Sequence, residues 1–276
     1  MPLFLFFHKN GICFIIKIIF QYLIVIIIVI KMRILIKLRN AKEQAYDLNY
    51  NNKLQGFIYN LLRDTEYSKL HDRKSYKFFS FSSIFPMKTG KGDERNIIVA
   101  SPNEKFIDII SGKLNERKNE LLHIGEYEFE LVGVKKIKVK LGNKAEFITG
   151  TPIVIRIPKE NYEKYGISEE YDSVYWKKKH SFEAFIKQLE DNLYKKYNFF
   201  HNTKVNETPV FEQFIFKKSV VNHVVKAGME HKVFGSLWEF KFNSLSGGQK
   251  KVLEFGIDAG FGELNSLGFG FMNAKK

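Results

Sequence analysis

From Met32 onward, apolar residues recur in short stretches with a period of two and in longer stretches with the helical period, in the order strand, helix, strand, strand, helix, strand. The whole order then runs a second time. Ile34, Ile36 and Leu38 alternate with Arg33, Lys37 and Arg39, apart from Leu35, which predicts a half-buried strand. Leu54, Phe57, Ile58, Leu61 and Leu62 share one side of a helix over Leu54–Arg63. Tyr76–Phe85 and Glu94–Ala100, joined through Gly90-Lys91-Gly92, predict a hairpin. Ser101-Pro102-Asn103-Glu104 has capping-box spacing, with Ser101 as N-cap and Pro102 at the first helical position, and opens a helix to about Glu116. Leu122–Lys140 is extended, with Gly125 and Gly133 as breaks. The order βαββαβ is the ferredoxin-like, or RRM-like, plan.

A second set is expected to start at Pro152–Ile157, after Gly150-Thr151-Pro152. Its first helix is Ser181–Tyr197, with Phe182, Phe185, Ile186, Leu189 and Leu193 on one face. A long hairpin over Phe211–Phe242, a short helix over Gly248–Phe255 and a last strand over Leu267–Met272 complete it. The expectation is an α+β protein of two tandem ferredoxin-like domains, 32–150 and 151–276. Element order alone carries the duplication, because no residue-level repeat joins the halves.

Residues 1–31 differ from the rest of the chain. Ile12–Ile30 is apolar except for Lys17 and Gln21, close to the roughly 20 residues that cross a bilayer. The charge in its middle and the self-sufficient pattern opening at Arg33 favour Met32 as the true start, with 1–31 as upstream translation. The alternative is a membrane tether through residues 12–30. With 44 Lys+Arg against 30 Asp+Glu, a formal charge of +14, the chain favours polyanionic partners. Cys13 is the single cysteine, which excludes internal disulfides and paired-cysteine zinc sites and fits a reducing cytoplasm.

Leu245-Ser246-Gly247-Gly248-Gln249 matches the signature peptide of ABC-type ATPases, but ATP chemistry also needs a GxxxxGK[ST] loop, which this chain lacks. A turn capping a short helix explains its glycines. Gly260–Gly270, with glycines at 260, 262, 268 and 270, lies too near the chain end to begin the βαβ unit of a dinucleotide site. Its structural reading is a turn before an edge strand. Its functional reading is a loop whose bare amides approach a phosphodiester.

Gly260–Gly270 resembles the C-terminal glycine-rich signature of the CRISPR-associated repeat-processing endoribonucleases, the Cas six family. Met32-Arg33-Ile34-Leu35-Ile36, Leu54–Asn60, Leu70-His71 and Lys77-Phe78-Phe79 resemble its N-terminal half, so the similarity covers about Met32–Asn273. The resemblance implies tandem ferredoxin-like domains and a Tyr, His and Lys cleavage set, falling on Tyr59, His71 and Lys77. It also implies metal-independent cleavage of single-stranded or stem-loop CRISPR repeat RNA into guide RNAs, with no cofactor. An effector complex and a homodimer stand open as further partners, and no membrane partner is expected. A non-cleaving repeat-RNA-binding protein is the alternative.

The residues themselves are compatible. At about 100° per residue Tyr59 lies roughly 60° beyond the apolar arc ended by Leu62, so its hydroxyl is expected at the surface. His71 sits in the polar connection Lys69–Lys74, and spacing alone does not separate Lys77 from Lys74. Attack by the RNA 2′-OH needs a base, an acid and positive charge on the phosphorane, and an imidazole that titrates near neutral pH can serve as acid or base. Tyr59 would be its counterpart or would orient the 2′-OH, and Lys77 would stabilise the developing charge. No cluster of carboxylates and histidines suggests a metal site. RNA binding is assigned to Gly260, Gly262, Gly268, Gly270, Lys136, Lys138, Lys217 and Lys218, with Lys140 and Lys226 as neighbouring basic positions and exposed aromatics as base platforms.

Overall fold

The computed structural model describes residues 32–45, 50–205, 209–226 and 228–275. The apolar run at 12–30 lies outside them. No helix among the described residues is long and apolar enough to cross a membrane.

The N-terminal half begins with β1 (Arg33–Asn40) and α1 (Tyr50–Leu61). It continues with β2 (Ser80–Phe81), β3 (Glu94–Ala100), α2 (Glu104–Glu116), β4 (Leu121–Ile124) and β5 (Tyr127–Ile137). Its sheet is ordered β2-β3-β1-β5-β4. Without the added edge strand β4, this is the antiparallel 4-1-3-2 order of a ferredoxin-like unit, counting β2 and β3 as its second and third strands. One face packs on the helices: Ile34, Ile36 and Leu38 are buried with Leu54, Ile58 and Leu61 of α1 and with Phe106, Ile110 and Leu114 of α2.

The C-terminal half repeats the plan with β6 (Ala145–Thr149), α4 (Phe182–His201), β9 (Gln213–Lys226), β10 (Met229–Phe242), α5 (Gly247–Ala259) and β11 (Met272–Ala274). Its sheet is ordered β11-β6-β10-β9, again 4-1-3-2. A small ribbon of β7 (Arg156–Pro158) and β8 (Ser173–Tyr175), with the short α3 (Tyr162–Tyr165) between them, fills the connection to α4. The two tandem ferredoxin-like units are thus present.

Their details correct several local expectations. β6 opens the second sheet at Ala145, ahead of the expected division at 150/151, and Pro152–Ile157 bridges Ser236 of β10 through Ile153 and Glu263 through Val154 before entering the side ribbon. The strand expected from Tyr76 starts only at Ser80, because Phe78 takes a left-handed φ of 50° that breaks the extended chain. Asn103, rather than Ser101, caps α2: its Oδ1 accepts the Phe106 amide, while the Ser101 hydroxyl donates to the Phe78 carbonyl. Gly133 does not end β5 but lies beside a bulge, where Lys37 faces Gly133 and Leu38 faces Leu131. Phe182 is 44% exposed although it stacks on Phe185 and Trp238. Ser246 and Gln249 form a reciprocal capping box at α5, so the ATPase-like peptide is a helix cap.

Arg33 shows how the halves join. The alternation of β1 puts it on the face away from its own helices, yet it is only 2% exposed. Its guanidinium donates to Asp258 Oδ1 at 2.7 Å, to the Met272 carbonyl at 2.8 Å and to the Ile257 carbonyl at 2.6 Å, and it lies over the Phe271 ring. Burial outweighs the pull of Arg33 and holds the Asp258 carboxyl above the usual range, at about 6, so the pair is charged above that pH.

Candidate active site

Tyr59 comes from the last turn of α1, His71 from the turn after a short 3₁₀ segment (Ser68–Leu70), and Lys77 from the coil before Phe78. The fold brings them together. The Tyr59 and His71 rings meet edge to face at 5.1 Å between centroids, and Lys77 Nζ lies 5.5 Å from the Tyr59 centroid. Lys77 also donates to the His71 carbonyl at 2.8 Å, which fixes the Lys77 ammonium beside the His71 backbone. Asp72 Oδ1 is 3.1 Å from His71 Nδ1, close enough to orient the imidazole as a carboxylate orients a catalytic histidine. His71 is exposed, and burial holds the Lys77 ammonium below the ordinary lysine range.

The Tyr59 hydroxyl does not reach the surface as expected. His71 and Phe79 cover the ring, and the hydroxyl oxygen is buried with no partner in hydrogen-bonding geometry. Burial pushes its pKa up to about 12, with the nearby Ser266 side chain pulling the other way. A phenol so raised stays protonated at neutral pH and can donate a hydrogen bond but is a poor base.

Ser266 belongs to the glycine-rich loop, which crosses from the C-terminal half onto α1, where Gln55 Nε2 donates to the Ser266 carbonyl at 2.8 Å. The loop's glycines have a different reason from the one expected. Gly260, Gly262, Gly268 and Gly270 are buried, all at positive φ. The amides of Gly260, Gly268 and Gly270 donate to the carbonyls of Gly256, Asn265 and Pro152, so these amides are spent inside the chain rather than offered to a phosphodiester. A Cβ on Gly270 would lie 1.9 Å from the Phe261 carbonyl oxygen, and one on Gly268 would lie 2.4 Å from the Phe81 ring of the other half. Positive φ at 268 and 270 also shortens the expected last strand to Met272–Ala274.

Lys196 anchors this loop. Fully buried in α4, its ammonium donates to the carbonyls of Gly260 and Gly262 and to Asn265 Oδ1, three acceptors for three protons. Burial lowers its pKa to about 7. The sequence carries a signal for it, since Lys196 follows Leu189 and Leu193 on the apolar stripe of α4. Gly270→Ala is expected to cost about 3 kcal/mol or more, because the backbone is strained for alanine and the contact is with rigid backbone. Gly247→Ala, where nothing lies within 4 Å, should leave the denaturation midpoint nearly unchanged. Equal midpoints for both variants would remove this account of the loop.

Beside Lys77 opens a pocket of about 720 Å³, walled by the 73–79 segment, by α4 and by the glycine-rich loop. Arg73, Lys74, Tyr76, Arg156 and Phe199 line it, and of these only Lys74 is a site candidate from the sequence. Lys136, Lys138, Lys217 and Lys218 are not in its lining. Lys136 pairs with Asp108, and Lys217, at a bulge in β9, pairs with Glu239, whose carboxyl Lys275 and Lys217 hold down at about 2. Lys138 and Lys218 are exposed. Among the described residues no group of three or more His, Cys, Asp or Glu side chains converges as metal ligands would.

The family model described as CRISPR associated protein Cas6, C-terminal, matches residues 134–274. The chain is 33% identical over 258 residues to CRISPR-associated endoribonuclease Cas6 2 of Methanocaldococcus jannaschii, covering 89% of this chain and all of that one. It is 30% identical to the CRISPR-associated endoribonuclease Cas6 of Haloferax mediterranei, over 88% of this chain and 93% of that one. A solved structure described as an RAMP protein binding different RNA substrates superposes with a TM-score of 0.66 at 25% identity, over 89% of this chain and all of that one.

Proposed function

Because the chain belongs to the Cas6 family of CRISPR-associated endoribonucleases, we propose that it cuts CRISPR repeat RNA in the cytoplasm by metal-independent attack of a 2′-OH on the adjoining phosphate. The observation that carries the reading is the mutual contact of Tyr59, His71 and Lys77 at the edge of a basic pocket. His71, exposed and held by Asp72, transfers the proton. The Tyr59 phenol, protonated at neutral pH, serves as a donor to the 2′-OH or a phosphate oxygen rather than as the base, once bound RNA displaces the His71 ring that covers its hydroxyl. Lys77 places positive charge where the phosphorane forms. The bond broken is P–O5′, so the 2′-oxygen closes a 2′,3′-cyclic phosphate and the leaving oxygen takes a proton to become a 5′-OH. Lys138 and Lys218 supply phosphate contacts that position the RNA without reading its sequence, and Lys136 and Lys217 join them on exchanging Asp108 and Glu239 for phosphate. The glycine-rich loop acts by its shape, setting Ser266 over Tyr59.

Burial of the Tyr59 hydroxyl favours a second reading, in which the same surface holds repeat RNA without cutting it. One incubation separates the two. Purified protein in excess chelator is expected to cleave repeat RNA to cyclic-phosphate and 5′-OH ends, and to stop when a single 2′-deoxy sugar stands at the cut site. Activity lost with chelator would require a metal, cleavage of the deoxy substrate would rule out 2′-OH attack, and tight binding with no cleavage would establish the second reading.

A further inference from the structure

We propose that the pocket beside Lys77 holds one unpaired ribonucleotide next to the scissile phosphate, its base against Phe199 and Tyr76 and its phosphate on Arg73 and Lys74. This subsite rests on the cleavage reading and gives that reaction a specificity determinant.

Phe199, near the C-terminal end of α4, is 59% exposed on the pocket wall. Its neighbours hold it without covering it: the Tyr76 ring meets it edge to face at 5.6 Å and the Phe78 ring lies at 5.9 Å. Phe78 is itself locked against Phe200 and Phe255 and by its carbonyl's bond from Ser101, so the platform is rigid. A large aromatic ring kept in water beside cations is poor packing but a good stacking surface for a base.

The charges on the wall sort themselves. Arg156 is neutralised by Glu263, and Lys196 is consumed by the glycine-rich loop. Arg73 and Lys74 are exposed and have no side-chain hydrogen-bond or ion-pair partner among the described residues. An open aromatic face beside two uncommitted cations suits a nucleotide, and the volume accommodates one. A base inside a duplex has no free face, so the occupant is unpaired. Lys77 belongs both to this wall and to the Tyr59 and His71 contact, which places the occupant beside the reacting phosphate.

The test is an abasic scan of repeat RNA, made non-cleavable by 2′-deoxy sugars, bound to wild type, Phe199→Ala and Phe199→Trp at constant salt. In wild type, removing one base is expected to weaken binding by roughly 10-fold or more. In Phe199→Ala that same removal should cost nothing further, and Phe199→Trp should behave as wild type. The sensitive position should adjoin the cut mapped with all-ribose RNA. Equal abasic penalties in wild type and Phe199→Ala at every position, or a coupled position remote from the cut, would overturn the subsite and show Phe199 to be packing between the halves. If wild type binds but never cuts, the cleavage reading fails while the Phe199 coupling is still read from binding. Should wild type bind no repeat RNA, both fall.

Discussion

Replacing His71 with alanine is expected to slow cleavage of repeat RNA by on the order of 10²-fold or more and to barely move RNA affinity. The split follows from where the residue sits. His71 is exposed, packs only edge to face on Tyr59 and meets Asp72 through one ring nitrogen, so truncation leaves no cavity in the core. Lys77 keeps its bond to the His71 backbone carbonyl, which alanine retains. On the proposed reading, affinity comes from basic and aromatic surfaces that do not include the imidazole. Single-turnover cleavage with labelled RNA, alongside equilibrium binding of non-cleavable RNA, reads the two quantities separately. A fully active His71→Ala would remove Tyr59, His71 and Lys77 as the cleavage set, and a parallel loss of rate and affinity would mean that His71 binds rather than reacts.

The second large effect is on stability. Replacing Arg33 with alanine, or Asp258 with alanine, is expected to cost about 3–5 kcal/mol, because each leaves the other group buried without its partner. Arg33 is 2% exposed and Asp258 is 7% exposed, so water does not restore the lost contact. Removal of Arg33 also frees the carbonyls of Ile257 and Met272, which bracket the glycine-rich loop, and so loosens Ser266 above Tyr59. Cleavage should therefore fall with stability in these variants, unlike in His71→Ala. A double Arg33→Met, Asp258→Leu variant should recover part of the loss, since an apolar pair of similar volume can replace a buried ion pair. Denaturant titration decides it, and single variants costing under about 1 kcal/mol would show that the halves are held by apolar packing alone.

Of the candidate site, the trio of Tyr59, His71 and Lys77 was legible through the resemblance, because its motif positions lie within short stretches of chain. Its neighbours were not. Nothing local distinguishes Phe199 from the other aromatics of α4, and Arg73 reads as one more polar residue until the pocket gathers it, while Lys74 stood in the sequence only as an alternative to Lys77. The glycines of 260–270 were visible as a pattern, but their reason lies in residues far along the chain, with Phe81 against Gly268 and Val154 against Gly262. Ser101 illustrates the same limit at close range. Its spacing to Glu104 suits a cap, yet its hydroxyl is drawn to Phe78 and Asn103 caps instead.

What the sequence determined by itself was the set of elements and their doubled order, because a period of two or of 3.6 in apolar residues is a property of consecutive positions. Ile34, Ile36 and Leu38 announce β1, and Phe185, Leu189 and Leu193 announce α4, whatever lies against them. Only the tertiary structure decided which polar groups would be buried. Arg33 reads as the solvent side of a strand and becomes the junction of the two halves through a partner 225 residues away. Lys196 becomes the anchor of the glycine-rich loop, and the Tyr59 hydroxyl is sealed beneath His71 and Phe79 beside Ser266. The physical reason is that desolvation depends on what covers a group, and cover is set by residues that only the fold brings together, from the opposite half at Arg33 and from the same half at Lys196.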